Sequence, residues 1–329
     1  MRLHLLSGSD VRQAITMREA VEVVKSAFAQ LSMGQAQVPL RSALEVPDRG
    51  GVTLLMPAYL AASGGMGAKL VSVFPSNAPL GLPTIHALVV LVDYVTGKPE
   101  ALLDGTYLTA LRTGAVSGAA TDFLARADAC RVAVIGAGAQ GRTQLAAVCA
   151  VREIERAWVY DVHGEAAAQF VRDLQGQPGM PPRLEATDSP SAAVREADVI
   201  CTATTSSSPV FDSSEVRAGA HINAVGAFTP EMQEVDVATL REPRIVVDSR
   251  SACLAEAGDL LIPLGQGLIP AADGWTELGE IASGRSEGRR NASEITYFKS
   301  VGNAVQDVSV GQAVLEAARG LGLGVQVEL

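Results

Sequence analysis

The sequence predicts an α/β protein in two parts: a Rossmann-type, doubly wound parallel sheet and, before it, an α+β domain built on an antiparallel sheet. Strands and helices alternate after residue 131, which is the pattern of a parallel sheet with helices on both faces. Between residues 37 and 99 short β-like runs are instead broken by Gly and Pro, which is typical of antiparallel strand pairs. We expect residues 1–118, joined by 301–329, to form one domain, and residues 119–300 to form the other.

The first domain opens with a clear helix signal. Thr16 and Glu19 form a capping box, apolar residues then recur at helical spacing, and the pattern stops at Gly34. Three β-like runs follow, then a helix rich in small residues that allows close packing of another element. The predicted strands are 53–56, 67–73 and 84–93, and the small-residue helix is 106–127. A last amphipathic helix, predicted over 300–319, is expected to fold back onto this domain.

The second domain alternates strand and helix along its length. Its predicted helices include 141–150 and 164–174. Its predicted strands are 131–135, 157–161, 199–203, 221–225 and 244–247.

A glycine motif follows the first of these strands. Gly136, Gly138 and Gly141 have the spacing of a dinucleotide-binding turn, in which the first glycine turns the chain, the second admits a pyrophosphate and the third lets the helix pack closely. Asp161 ends the next predicted strand, where a carboxylate binds the adenosine ribose hydroxyls. Because a carboxylate repels a 2′-phosphate, Asp161 favours NAD(H) over NADP(H).

Composition excludes several other classes of protein. The 329 residues carry a formal net charge of −10 and contain no basic run, so a nucleic-acid partner is not expected. No apolar stretch approaches 18 residues, so no membrane span is predicted. The four cysteines are scattered without paired spacing, which is typical of reduced residues in a cytoplasmic protein. The four histidines show no metal-ligand spacing, and no metal site is predicted.

Three cations of the first domain are candidates for binding an acidic substrate. Lys69 lies in a predicted strand with apolar neighbours, where a lysine is costly unless it is paired or used. Arg112 lies in the small-residue helix, and Arg41 lies near the start of the predicted sheet. Each alone is an ordinary solvated or ion-paired cation. Together, in an acidic protein, they predict a site for a substrate carboxylate, which guanidinium groups bind bidentately.

Seven segments, in order over nearly the whole chain, resemble the ornithine cyclodeaminase/mu-crystallin family, which includes alanine dehydrogenases and cyclic ketimine reductases. The segments are Gly67–Val71, Pro83–Ala87, Leu103–Ala115, Val134–Gln140, Ala197–Thr204, His221–Ala227 and Phe298–Gly302. The resemblance implies a Rossmann domain, a dimerising substrate domain, a two-fold homodimer, a nicotinamide cofactor and a small imino- or amino-acid substrate.

The resemblance also implies a role for individual residues. Lys69 matches the lysine that contacts the substrate and supports proton transfer, Arg41 and Arg112 match the arginines that hold its carboxylate, and Val301 matches a residue that closes over it. With the glycine motif included, the expected cofactor-binding residues are Thr84, Arg112, Gly136, Gly138, Ala139, Gln140, Gly141, Asp161, Thr202, Val225, Gly226, Ala227 and Ser300.

At one position this sequence has a different residue from the cyclodeaminases of this family. They carry an aspartate that handles the amine and water protons, and Phe228 occupies that position here, with Glu231 beyond a proline and expected in solvent. Phe228 is a candidate to pack on a ring substrate, or simply to fill the pocket wall. The favoured prediction is therefore an NAD(P)H-dependent reductase of a cyclic ketimine acid, either Δ1-pyrroline-2-carboxylate or its six-membered homologue. The alternatives are an alanine or amino-acid dehydrogenase, ornithine cyclodeaminase itself, and a non-catalytic small-molecule binder.

Overall fold

The computed structural model describes residues 2–241 and 243–329, and the chain divides into two compact units. The first unit is Met1–Arg112 with Asn303–Leu329, and the second is Thr113–Gly302. The sequence placed the first boundary at residue 118. One continuous helix, Gly105–Leu124, runs through both positions, and a helix interior contains no signal that marks a change of unit.

The first unit is built on an eight-stranded sheet. Its strands are β1 (Arg2–Leu6), β2 (Ala36–Gln37), β3 (Ser42–Val46), β4 (Gly51–Leu60), β5 (Gly65–Val73), β6 (Ile85–Val92), β7 (Pro99–Asp104) and β16 (Val325–Glu328). They lie in the order β16-β1-β7-β6-β5-β4-β2, and β3 pairs with β4. Every pair is antiparallel except β1 with β7. The predicted antiparallel sheet is confirmed, but β1, β2, β3, β7 and β16 were not predicted.

Helices of the first unit cover one face of this sheet. They are α1 (Gly8–Ala14), α2 (Met17–Ser32) and α10 (Ala304–Leu321). The capping box of α2 forms as predicted, since Thr16 Oγ1 and Glu19 bond to each other's backbone amides. Helix α10 packs on β4, β5 and β6 and on α1 and α2, and it begins at residue 304 rather than 300.

The second unit contains an eight-stranded parallel sheet, which confirms the predicted fold class. Its strands are β8 (Arg131–Ile135), β9 (Arg156–Tyr160), β10 (Arg183–Ala186), β11 (Val199–Thr202), β12 (His221–Ala224), β13 (Arg244–Val247), β14 (Thr276–Glu277) and β15 (Thr296–Lys299). Their order is β10-β9-β8-β11-β12-β15-β13-β14, so the direction of winding reverses between β8 and β11. Such a switch point is where ligands bind in doubly wound sheets.

Helices connect these strands, and α3 (Gly105–Leu124) leads into them. The others are α4 (Ala139–Val151), α5 (Gly164–Leu174), α6 (Pro190–Glu196), α7 (Arg250–Glu256), α8 (Gly258–Gly265) and α9 (Leu278–Ala282). The sequence missed β10, β14 and β15, although β15 lies inside the sheet and is as long as β11, β12 and β13, which were predicted. None of the helices in the described ranges combines the length and apolar character that a membrane crossing requires.

Candidate functional site

The glycine turn after β8 has the geometry that its spacing predicts. Gly136 has a φ of 106°, a region open to glycine, and a Cβ there would overlap the carbonyl group of Ala203. A Cβ on Gly141 would overlap the carbonyl oxygen of Gly136, so α4 packs against the turn only with glycine at this position. A Cβ on Gly138 would meet nothing within 4 Å. The turn is therefore tight where the chain folds and open at the N-terminus of α4, where backbone amides attract phosphate.

Asp161 follows β9 directly, and its carboxylate is tied to this turn. Oδ2 accepts a hydrogen bond from the Ala137 amide at 2.8 Å, and Oδ1 accepts one from the His163 amide at 2.9 Å. The acid therefore lies beside the glycine turn, as a ribose-binding acid must. The residue that follows, Val162, is 80% exposed and carries no positive charge that would bind a 2′-phosphate.

Ala139 and Gln140 form the first turn of α4. Ala139 is exposed, and Gln140 is half-buried with its Oε1 atom enclosed and without a hydrogen-bond partner in the described chain. A buried acceptor without a donor is uncommon in native proteins. The position of this acceptor beside the glycine turn fits a group that binds a ligand there.

The other predicted cofactor residues of the second unit lie at the carboxyl ends of its strands. Thr202 is the last residue of β11, and Val225, Gly226 and Ala227 directly follow β12. Ser300 directly follows β15. Because β11, β12 and β15 are neighbours and parallel, these residues share one edge of the sheet.

Ser300 and Val301 are held by an aspartate that the sequence did not single out. Asp248 follows β13 and is 1% exposed. Its Oδ2 accepts hydrogen bonds from Ser300 Oγ at 2.7 Å and from the amides of Val301 and Gly302 at 3.0 Å. These bonds form a turn where the sequence predicted helix, which explains the later start of α10.

Phe228 lies in the loop after β12 and is half-buried, whereas Glu231 is exposed, as predicted. An aromatic ring therefore occupies the position where the resemblance to cyclodeaminases implies an acid. The described residues contain no group of three or more His, Cys, Asp or Glu side chains that could hold a metal ion.

Two of the three predicted cations come together in the first unit around an aspartate. Lys69, on β5, and Arg112, on α3, are 1% and 6% exposed, and both contact Asp307 in the first turn of α10. Asp307 Oδ1 accepts from Lys69 Nζ at 2.9 Å and from Arg112 Nε at 3.0 Å. Arg112 Nη1 also donates to Gln306 Oε1 at 2.6 Å. We call these four residues the Lys69–Asp307 cluster.

Burial and neighbouring charges set the proton affinity of Lys69. Burial, then the charge of Arg112, lower its pKa from 10.5 to about 8, and the charge of Arg41 adds to this effect. Asp307 opposes all three. Lys69 can therefore take both its protonated and its neutral form near physiological pH, as a proton-transferring group must.

Arg41 and Thr84 are both partly exposed, and each directly precedes a strand of the first unit. Arg41 comes just before β3, and its charge contributes to the lowered pKa of Lys69. Thr84 comes just before β6, and its carbonyl accepts from the Phe74 amide at 2.8 Å. Its role near cofactor phosphates stays a prediction.

Sequence reasoning missed Asp307 and Gln306. An acid in the first turn of a helix is ordinary, because it interacts favourably with the helix dipole, so Asp307 carried no special signal. The available signal was Lys69 itself, because a lysine in an apolar strand requires an anion. Asp307 Oδ2 and Gln306 Nε2 are also buried and make no hydrogen bond to a described residue.

Comparisons with known proteins agree with these features. The model of the ornithine cyclodeaminase/mu-crystallin family matches residues 2–321. The chain is 40% identical over 325 residues to a Δ1-pyrroline-2-carboxylate reductase of Bacillus cereus, covering 98% of this chain and 99% of that protein. The structure of the Thermococcus litoralis Δ1-pyrroline-2-carboxylate reductase in complex with NADH and L-proline is 42% identical, with a TM-score of 0.94, and covers 99% of this chain and 100% of that one.

An archaeal alanine dehydrogenase dimer with bound NAD is 36% identical, with a TM-score of 0.92 and full coverage of both chains. The family model and these relatives extend over nearly the whole chain and include both units. This chain belongs to the ornithine cyclodeaminase/mu-crystallin family.

Proposed function

We propose that this protein is an NADH-dependent reductase that converts Δ1-pyrroline-2-carboxylate to L-proline. The observation that carries the proposal is the Lys69–Asp307 cluster, which joins a lysine of pKa about 8 to an oriented arginine. Full-length relatives with 40% and 42% identity have this activity in their names. The six-membered homologue, Δ1-piperideine-2-carboxylate, carries the same imine and carboxylate and is a second substrate to test.

The cluster is suited to a molecule with a carboxylate next to a C=N bond. Nε and Nη1 of Arg112 are bonded to Asp307 and Gln306, which fixes the plane of the guanidinium. Neither bond uses Nη2, so we assign this group to a substrate carboxylate, with the charge of Arg41 adding to the attraction.

Lys69 would serve the nitrogen of the same substrate. Nζ has three protons, and one is directed at Asp307, so the others can reach an imine nitrogen. Donation of a proton to that nitrogen makes the imine carbon more electrophilic and yields the secondary amine. The bound nicotinamide cofactor supplies the hydride that the imine carbon accepts. Lys69 then regains its proton from solvent.

The glycine turn fits a dinucleotide, because it is open at Gly138 and tight at Gly136 and Gly141. Asp161 beside it supports NADH as the preferred cofactor. We assign the predicted cofactor residues of the second unit, from Gly136 to Ser300, to this ligand, and the Lys69–Asp307 cluster to the substrate. The roles of Phe228 and Val301 towards the substrate stay predictions.

A second candidate activity is the reduction of an open-chain imine, as in an alanine dehydrogenase. The same arginine and lysine would bind such an imine, and an alanine dehydrogenase is 36% identical over the full chain. Ornithine cyclodeamination is disfavoured because Phe228 has no proton to exchange. A cytoplasmic location, expected from the scattered cysteines, stays a prediction.

A substrate panel tests these activities directly. Purified protein with NADH is mixed with Δ1-pyrroline-2-carboxylate, Δ1-piperideine-2-carboxylate, pyruvate with ammonia, or L-ornithine, and NADH absorbance and ammonia are followed. We expect rapid NADH oxidation with a cyclic imine and little ammonia from ornithine. Faster turnover of pyruvate with ammonia would assign the second candidate activity, and ammonia release from ornithine would overturn the interpretation of Phe228.

We also propose that the protein is a homodimer through the sheet of its first unit. Leu55, Leu70 and Leu88 lie in register on β4, β5 and β6, and each is about half exposed on one face. A row of exposed leucines across three strands indicates a protein contact, and the alanine dehydrogenase relative is a dimer. Light scattering should give a dimer for the wild type and for Leu254→Glu, an exposed leucine of α7, and a monomer for Leu70→Glu. A monomeric wild type would contradict this assignment.

A further inference from the structure

Glu234 lies in the segment that follows β12, and its carboxylate is completely buried. It accepts five hydrogen bonds. Oε1 accepts from the Thr204 amide at 2.6 Å and from Thr204 Oγ1 at 2.8 Å. Oε2 accepts from Thr202 Oγ1 at 2.9 Å and from the amides of Gly226 and Ala227 at 2.8 and 3.1 Å. One side chain thus joins the chain after β11 to the chain after β12.

The backbone of Glu234 is itself held by a second buried carboxylate. Asp259, in the first turn of α8, accepts from the amides of Glu234 and Val235 at 2.6 and 3.1 Å. Its other oxygen pairs with Lys299 Nζ at 2.7 Å. Burial and the charge of Asp259 raise the pKa of Glu234, while the charge of Lys299 and the hydrogen bonds from Thr204 act against this rise. Backbone amides, which can only donate, bond to both carboxyl oxygens, so the side chain is fixed in position as an acceptor.

The two joined segments touch directly. A Cβ on Gly226 would overlap backbone atoms of Thr204 and Oε1 of Glu234, so glycine is required for this approach. The segments after β11 and β12 are two and three strands from the adenosine side, because the order is β9-β8-β11-β12 and Asp161 follows β9. Two and three strand spacings are about 10 and about 14 Å. A dinucleotide that crosses the switch point with its ribose at Asp161 has its nicotinamide end towards β11 and β12.

We propose that Glu234 is a positioning residue for the nicotinamide end of the dinucleotide, which holds Thr202 and the Gly226–Ala227 segment without contributing to the adenosine end. The proposal rests on the NADH binding proposed above. It predicts that substitution of Glu234 weakens the binding of NADH but not the binding of ADP-ribose. ADP-ribose has the whole adenosine end and lacks nicotinamide, so it reports only on the glycine turn and Asp161.

The test is the dissociation constant of NADH and of ADP-ribose, measured by calorimetry on the full chain without substrate. In Glu234→Gln the amide NH2 group replaces one carboxylate oxygen and faces either the Thr204 amide or the Gly226 and Ala227 amides, which also donate, so at least one bond is lost. We expect NADH to bind about tenfold more weakly, with ADP-ribose binding unchanged. Glu231→Gln, an exposed glutamate in the same loop, is the matched control and should bind both as the wild type does.

Thr204→Val provides a milder test if Glu234→Gln does not fold. It removes one of the five donors and keeps the branched side chain, and we expect a smaller loss of NADH affinity with ADP-ribose binding again unchanged. Equal weakening of both ligands, or of neither, in the folded variant would overturn the proposal. A wild type that binds NADH but reduces no imine would overturn the proposed function and leave the role of Glu234 standing.

Discussion

The glycine turn and the Lys69–Asp307 cluster are built in opposite ways. The turn is a contiguous run of six residues whose function depends on backbone shape, with an open position at Gly138 and a positive φ at Gly136. The cluster joins Lys69 and Arg112 to an aspartate that lies 238 and 195 residues further along the chain. The backbone shape of the turn depends on residues that are adjacent in sequence, whereas the buried ion pairs depend on residues from distant segments.

The two regions should also respond differently to substitution. In the turn, backbone amides provide most of the anion binding, so loss of one side chain removes only part of the interaction. In the cluster, each charge is buried and depends on its partner, so loss of one side chain leaves another charge uncompensated. Side-chain variants should therefore act strongly on the cluster and weakly on the turn.

The largest effect is expected for Lys69→Met, which keeps the length of the side chain and removes the proton donor. We expect kcat for the cyclic imine to fall by about 10²-fold or more, which is the usual contribution of a proton-transferring group. NADH binding, measured without substrate, should be unchanged. Lys98→Met, an exposed lysine of the same unit, is the control. A Lys69→Met protein that keeps most of its kcat would show that the cluster only binds substrate.

The next effect is expected for Asp307→Asn, and it concerns the pH dependence. Wild-type kcat should be constant below pH 8 and fall above it, because the Lys69 ammonium, of pKa about 8, loses its proton. Asp307 is the anion that raises this pKa, so its removal lowers the pKa further and moves the falling limb to lower pH. Once the Lys69 pKa lies below the assay pH, each further pH unit of separation reduces the protonated fraction about tenfold.

Asp307→Asn should also destabilise the fold by about 3–5 kcal/mol, because two buried cations lose their anion. Thermal unfolding measures this cost. A variant that is less stable, but whose kcat falls at the same pH as that of the wild type, would show that Asp307 has only a structural role. A fall of kcat at higher pH than in the wild type would contradict the conclusion that Asp307 raises the pKa of Lys69.

The contrast between the regions also explains what could be predicted from the sequence. The parallel sheet, the glycine turn and Asp161 were predicted because each depends on residues that are close in sequence. Lys69 could be recognised as anomalous, but its partner could not be identified, because an acid at a helix N-terminus has a sufficient local explanation. Glu234 and Asp248 were missed for a related reason: a carboxylate that binds backbone amides of a distant loop leaves no pattern along the chain.

The smallest effect is expected at Asp161, where the turn itself is tested. Asp161→Ala removes the acceptor of the Ala137 and His163 amides and the acid that we assign to the ribose. We expect KM for NADH to rise at most about tenfold, because the backbone of the glycine turn remains. KM for NADPH should change less or fall, since the charge that repels a 2′-phosphate is gone. Glu153→Ala, an exposed residue at the opposite end of β9, should change neither. Steady-state kinetics with both cofactors measure the ratio, and a strong NADPH preference that Asp161→Ala leaves unchanged would refute the assignment of Asp161 to the ribose.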